Sequence, residues 1–130
     1  MTARDLKDFA LNVAKADLVG VANIERFKDA PADMDPLNIM PRARSVIVIA
    51  SRILRGCYRG IDEGTHWPSY SVYGYIGLGG RLSRATYALT RFIEDHGYEA
   101  AVPGMMASSR EFGPRGRPPA PGKPMREVVV

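Results

Sequence analysis

Hydrophobic positions along this chain fall into a few distinct patterns. Across residues 2–16, Leu6, Phe9, Ala10 and Val13 recur at i, i+3, i+4 and i+7, the spacing of one apolar helix face. Thr2, three residues ahead of Asp5, gives that helix the start of a capping box. Two short continuous apolar runs follow, at residues 18–22 and 45–50. Both are rich in β-branched residues and bounded by turn signals, which predicts strands buried on both faces and covered by helices. The helical period returns over residues 81–96, where Leu82, Ala85, Leu89, Phe92, Ile93 and His96 form a stripe and Gly97 supplies the stop. Residues 98–102 then read as a third strand, ended by Pro103-Gly104.

The fold class that follows is α/β (α+β), a small mixed sheet packed by helices. Val19, Val21, Val46, Val48, Leu89 and Phe92 are expected to be buried together between helix and sheet.

Three segments lack a clear period. Residues 23–44 allow a helical turn at Ile24-Glu25-Arg26-Phe27-Lys28, after which Pro31, Pro36 and Pro41 prevent a long helix. Leu37, Ile39 and Met40 are expected to fold back as a lid over the sheet. Residues 54–80 hold Cys57, Trp67, Tyr58, Tyr70, Tyr73 and Tyr75 among scattered glycines, and read as a long aromatic connection that is either functional or an interface. Residues 107–125 form an arm rich in Pro, Gly and Arg, separating an α/β domain over residues 1–106 from a terminal strand over 126–130. The apolar end at Val128-Val129-Val130 is expected to pair with the sheet, or to mark a fold completed by something else.

Length and composition narrow the classes. A chain of 130 residues with 45% hydrophobic and 25% charged content is one ordinary globular domain. The net charge of +4 is spread out, so nucleic-acid binding is not the expected role. The lone Cys57 excludes an internal disulfide and any four-cysteine metal or iron–sulfur site, and fits a reducing, cytoplasmic setting. No apolar run approaches the ~20 residues of a membrane span.

Candidate chemistry is sparse. Gly77, Gly79 and Gly80 directly precede the residue 81–96 helix. A glycine turn there can offer backbone N–H groups to a phosphate, with Arg81 and Arg84 as counter-charges, or can simply let the helix approach the sheet. The dinucleotide fingerprint is incomplete, since Leu82 stands at the third glycine position. Tyr73 and Tyr75, with Trp67, supply stacking surface beside that turn. These positions, Gly77, Gly79, Gly80, Arg81, Arg84, Tyr73 and Tyr75, are the expected cofactor-binding set. No metal site is expected from His66 and His96, which lie far apart in the chain. Asp62 and Glu63 are a candidate general base or a solvated acidic pair, and no catalytic residue is assigned.

The block Ala16-Asp17-Leu18-Val19-Gly20-Val21-Ala22, the block Pro41-Arg42-Ala43-Arg44-Ser45-Val46-Ile47-Val48-Ile49-Ala50, and the helix ending in His96-Gly97-Tyr98 resemble the N-terminal region of epoxyqueuosine reductases and of corrinoid-dependent reductive dehalogenases. The resemblance implies a nitroreductase-like half-domain that forms one wall of a cobalamin pocket and depends on a downstream iron–sulfur portion. It carries over no catalytic residue, because the family's cluster cysteines are missing here. Gly77-Leu78-Gly79-Gly80 also stands where epoxyqueuosine reductases have an Asp-Tyr-His-like motif. The expectation is therefore a non-catalytic, pocket-forming part of an oxidoreductase, with cobalamin or, alternatively, FMN bound only in a complete assembly. A stand-alone interaction or dimerisation module, acting as a homo-oligomer, and a flavin-binding nitroreductase-like protein are the alternatives.

Overall fold

The first helix, α1 (Ala3–Asn12), begins where the capping box places it. Thr2 Oγ1 accepts the Asp5 N–H at 3.2 Å, and Asp5 Oδ2 accepts the Thr2 N–H at 2.7 Å. The computed structural model describes residues 1–32 and 34–103, and the backbone of Val128 and Val129. After α1 the chain turns through Lys15, which holds a left-handed φ of +62°. That conformation costs an ordinary residue roughly 1–2 kcal/mol. It lets the Ala16 N–H return to the Ala10 carbonyl at 2.9 Å and aims the chain into the sheet.

Strands β1 (Leu18–Asn23) and β2 (Ser45–Ala50) pair antiparallel along their whole lengths, Leu18 opposite Ala50 and Asn23 opposite Ser45. Two short 3-10 turns, Ile24–Phe27 and Pro36–Asn38, break the connection between them, capped by the side chains of Asn23 and Asp35. The expected helical turn at Ile24 is therefore present. Of the expected lid, Met40 is buried with Ala43, whereas Leu37 and Ile39 stay exposed.

After β2 come α2 (Arg55–Asp62), a π-helical segment (Tyr70–Ile76), α3 (Gly77–Asp95) and β3 (Ala100–Ala101). Val128–Val129 forms β4, parallel to both β2 and β3, so the sheet order is β1-β2-β4-β3. The fold is α+β with a small mixed sheet. The arm at residues 107–125 lies outside the described residues.

One face of the sheet carries the core. Leu6 and Ala10 of α1, Ile47 of β2, and Leu89 and Ile93 of α3 form one buried cluster, joined by half-buried Phe9, Val19, Val21 and Ile49. Phe9 stacks on Phe92 with centroids 4.1 Å apart, fastening α1 to α3. The other face is open, which corrects the reading of strands buried on both sides. Strand side chains alternate, and the paired register puts Val19, Val21, Ile47 and Ile49 toward the helices and Leu18 and Val48 away from them. Val48 is therefore 60% exposed rather than in the core, and Leu18 is 70% exposed. Val13, expected on the buried face of α1, is also exposed, because the helix ends before it.

The long aromatic loop expected over residues 54–80 is mostly helical, the largest departure from the sequence reading. Cys57, expected within that connection, is buried inside α2. The helix expected from Arg81 begins earlier, and the π segment runs into α3 without a break in helical backbone. At the far end His96 caps α3, and Gly97 takes φ +79°, as the stop signal predicts.

Candidate functional site

The seven residues expected to hold a cofactor, from Tyr73 to Arg84, all lie on one continuous stretch of helical backbone. Gly77, Gly79 and Gly80 lie within continuous helical backbone, not in a turn ahead of it. A helix N-terminus binds anions through N–H groups that lack an intrahelical partner. Gly77 has none to offer, since its N–H already donates to the Val72 carbonyl, five residues back. The expected turn ahead of the helix is corrected to helix. Glycine-rich sequence normally argues against helix, because each glycine costs about 1 kcal/mol there relative to alanine.

Two of these glycines have local reasons to lack a side chain. A Cβ on Gly77 would run into the Val72 carbonyl oxygen, and Gly79 is buried. Gly74, in the π segment, is buried too, and a Cβ there would lie 2.7 Å from the Tyr70 ring and 3.3 Å from Ile53. Gly80 is exposed, and a Cβ on it would meet nothing within 4 Å.

Arg81 is held inward by the fold. Its Nη2 donates to the Lys15 carbonyl at 2.7 Å, its Nε to Ser51 Oγ at 3.3 Å, and Asp17 Oδ2 lies 3.8 Å from Nη2. The same Asp17 oxygen accepts the Arg52 backbone N–H at 3.0 Å. Arg81 thus ties α3 to the left-handed turn after α1 and to the end of β2. Both charged partners remain partly exposed, so the value of this clamp lies in its hydrogen-bond geometry more than in its charge. Sequence reading missed it because the partners lie thirty and sixty-six positions away. Arg84 is exposed on α3.

Tyr73 and Tyr75 point outward, 64% and 69% exposed, and Trp67 is 62% exposed. The aromatic side chains that do meet are Tyr58, Tyr70 and Trp67. Tyr70 stands 5.8 Å from each of the other two, so it bridges α2 to the segment before α3. Glu63 faces Arg59 at 3.8 Å on the surface, and Asp62 beside it is exposed. His96 sets its Nδ1 2.7 Å from the Phe92 carbonyl and packs against the Phe92 ring, far along the chain from exposed His66. Among the described residues no group of three or more His, Cys, Asp or Glu could hold a metal ion.

A shallow depression of about 250 Å3 lies at the end of β2, lined by Arg52, Ile53, Leu54 and Arg55. It adjoins none of the glycines in the expected set. No helix among the described residues is long and apolar enough to cross a membrane.

What this half of the molecule does present is surface. Residues 65–80 contain no Asp, Glu, Lys or Arg, and Trp67, Val72, Tyr73, Tyr75 and Ile76 are all at least half exposed. No protein-family model, curated protein or solved structure matches the chain.

Proposed function

We propose that this domain is an association module whose working surface is the uncharged stretch at residues 65–80, helical from Pro68 onward. The observation that supports this reading is exposure against composition. A helix apolar on all sides is ordinarily a buried helix, yet Val72, Tyr73, Tyr75 and Ile76 stand in solvent here. Tyrosine and tryptophan at high exposure, with charge excluded, are the composition of an interface centre. The domain contributes shape and aromatic area rather than reacting groups. Its closed half, α1 with α3 and the inner sheet face, serves as the rigid mount.

The test is site-specific photocrosslinking in cells producing the full chain. A benzophenone side chain replacing Tyr75 is expected to give covalent adducts with a protein chain, in clear excess over the same group replacing Arg4 on exposed α1. Equal labelling at the two positions overturns the reading.

A second reading follows the resemblance to corrinoid and flavin proteins. There the same wall lies against a cobalamin or an FMN in an assembly completed by another polypeptide. The flat uncharged rings of Trp67, Tyr73 and Tyr75 favour it, since stacking needs such surfaces. Titration with hydroxocobalamin and with FMN, followed through Trp67 fluorescence, is expected to saturate for one of them if that reading holds.

A further inference from the structure

We infer that the outer face of the sheet, at Val48 of β2, is the docking site of the chain's own residues 104–127, which join β3 to β4; the inference stands apart from the association reading above. Strand topology, the filled inner face and the chemistry of the outer one carry it.

Topology comes first. β4 runs parallel to β2 and also to β3, so β2 and β3 point the same way. A chain that leaves β3 must return to the opposite end of the sheet before it enters β4 beside it. Such a return is a crossover, and it passes over one of the two faces. Crossovers between parallel strands are right-handed in nearly all proteins. The connection from β2 to β3 uses the inner face, where Leu89 and Ile93 of α3 pack with Ile47. It moves across the sheet from β2, past the place of β4, to β3. The connection from β3 to β4 moves back the other way. Two right-handed crossovers that move in opposite directions lie on opposite faces. Residues 104–127 therefore belong to the outer one.

Space gives the same answer. On the inner face Leu6 and Ala10 of α1 already share the core with α3, and Ala100 of β3 packs against that cluster. On the outer face, Leu18 is 70% and Val48 60% exposed.

The chemistry agrees. The register sets Leu18 beside Ala50, Gly20 beside Val48 and Ala22 beside Val46 on the outer face. All six are uncharged and none brings a polar side chain, the composition of a face that packs against something. Residues 104–127 supply Met105, Met106, Phe112 and Met125 to meet it, and methionine fills irregular gaps well. A parallel crossover needs about a dozen residues or more, and this stretch exceeds that.

The experiment uses the purified full chain, diluted so that copies rarely collide. A benzophenone side chain replacing Val48 is expected to attach, on irradiation, to residues 104–127 of its own chain. Mass spectrometry of the digest locates the bond, and the adduct keeps the single-chain mass of 14.3 kDa under denaturing conditions. The same group replacing Val13, which is equally exposed but lies at the end of α1, is expected to label that stretch several-fold less. Val48→Asp gives a second measure, because covering a carboxylate with apolar side chains strips its water. Trypsin cleavage after Arg110 and Arg115 is expected to be several-fold faster in Val48→Asp than in the wild type, and unchanged in Val13→Asp.

Labelling of residues 104–127 no greater from Val48 than from Val13 overturns the inference. So does an adduct of twice the single-chain mass, which would make a second copy the occupant. So does cleavage that Val48→Asp accelerates no more than Val13→Asp. None of these results bears on crosslinking from Tyr75, so this inference and the association reading fail separately.

Discussion

The C-terminal part of α3 and the segment leading into its start are parts of one continuous helix, yet they differ in nearly every physical respect. Toward the C-terminus, Leu89 and Ile93 have no solvent exposure and pack against α1 and the inner face of the sheet, with Phe92 stacked on Phe9. At the start, Val72, Tyr73, Tyr75 and Ile76 project outward with little of the described fold over them. The backbone changes with the surroundings, π-helical at Tyr70–Ile76 and α-helical from Gly77 onward. The closed end shows what this sequence does when a helix buries one stripe and solvates the rest. The open end shows aromatic area held in place with no partner inside the domain. The proposed association belongs with the open end, since the closed end has already used its apolar surface on folding.

The sharpest way to break this comparison is to delete side chains at both ends. Leu89→Ala is expected to cost roughly 2–5 kcal/mol, a lost side chain plus the cavity left by a fully buried residue. Tyr75→Ala is expected to change the stability of the monomer by no more than about 0.5 kcal/mol, as at an ordinary exposed position. Urea unfolding at low protein concentration checks both. Equal losses would mean that the open end is packed after all.

Next in size is the junction where the two regimes meet. Gly74→Ala places a methyl against the Tyr70 ring and Ile53. Tyr70 can yield only by disturbing its contacts with Tyr58 and Trp67. The expected cost is about 1–3 kcal/mol, the range for overpacking, with a change in Trp67 fluorescence. Gly80→Ala, six residues on and in open space, is expected to act with the opposite sign on the monomer. Two glycine substitutions in one helix with opposite signs would confirm that the chain uses glycine there for two different reasons.

Arg81→Ala comes third. It removes the donors to the Lys15 carbonyl and Ser51 Oγ, and leaves the left-handed Lys15 turn without its tie to α3. Because the side chain is about half exposed, water replaces part of the loss, and about 1 kcal/mol is expected. Arg81→Lys is expected to recover little, since an ammonium cannot reach two acceptors in Arg's planar fork geometry. The measurement is the unfolding midpoint of each variant, together with hydrogen exchange at Ala16.

How much of this was legible in the sequence follows the same division. The two strands, the capping box, Gly97 and the stripes on α1 and α3, apart from Val13 and His96 at their ends, are local signals that appear in the fold. Val48 was misplaced because a continuous apolar run does not reveal which face is covered; the pairing of Gly20 with Val48 and of Val21 with Ile47 decides that. The helices at residues 54–80 were hidden by composition. Glycine, tyrosine and β-branched valine have poor helix propensity, and tertiary context overrode it. Gly77, Gly79 and Gly80 were read as a turn for the same reason, and they lie in helix. The Arg81–Asp17 clamp left no local trace, since two charges far apart in sequence announce nothing about their meeting.

The smallest expected effect lies at the first turn of α1, and it depends on pH. Asp5 accepts the Thr2 backbone N–H at 2.7 Å and closes the capping box. That hydrogen bond, then the one with the Thr2 side chain, holds the Asp5 carboxyl below its ordinary value of 3.8, with smaller help from the positive N-terminus and His96. A carboxyl whose folded value is depressed favours the folded state once it is ionised. Its contribution is therefore fully present above the unfolded value of 3.8 and is lost as pH falls through the lower folded value. Asp5→Asn keeps the shape of the side chain but removes the titration. The wild-type chain should lose more stability than the variant when taken from neutral pH to below that window, and the difference should shrink in high salt only slightly, because hydrogen bonds carry most of it. Parallel acid limbs for the two chains would show that the cap, although formed, contributes nothing that titrates. Even then α1 would stay seated, since Leu6, Ala10 and the Phe9–Phe92 stack hold it independently of its first turn.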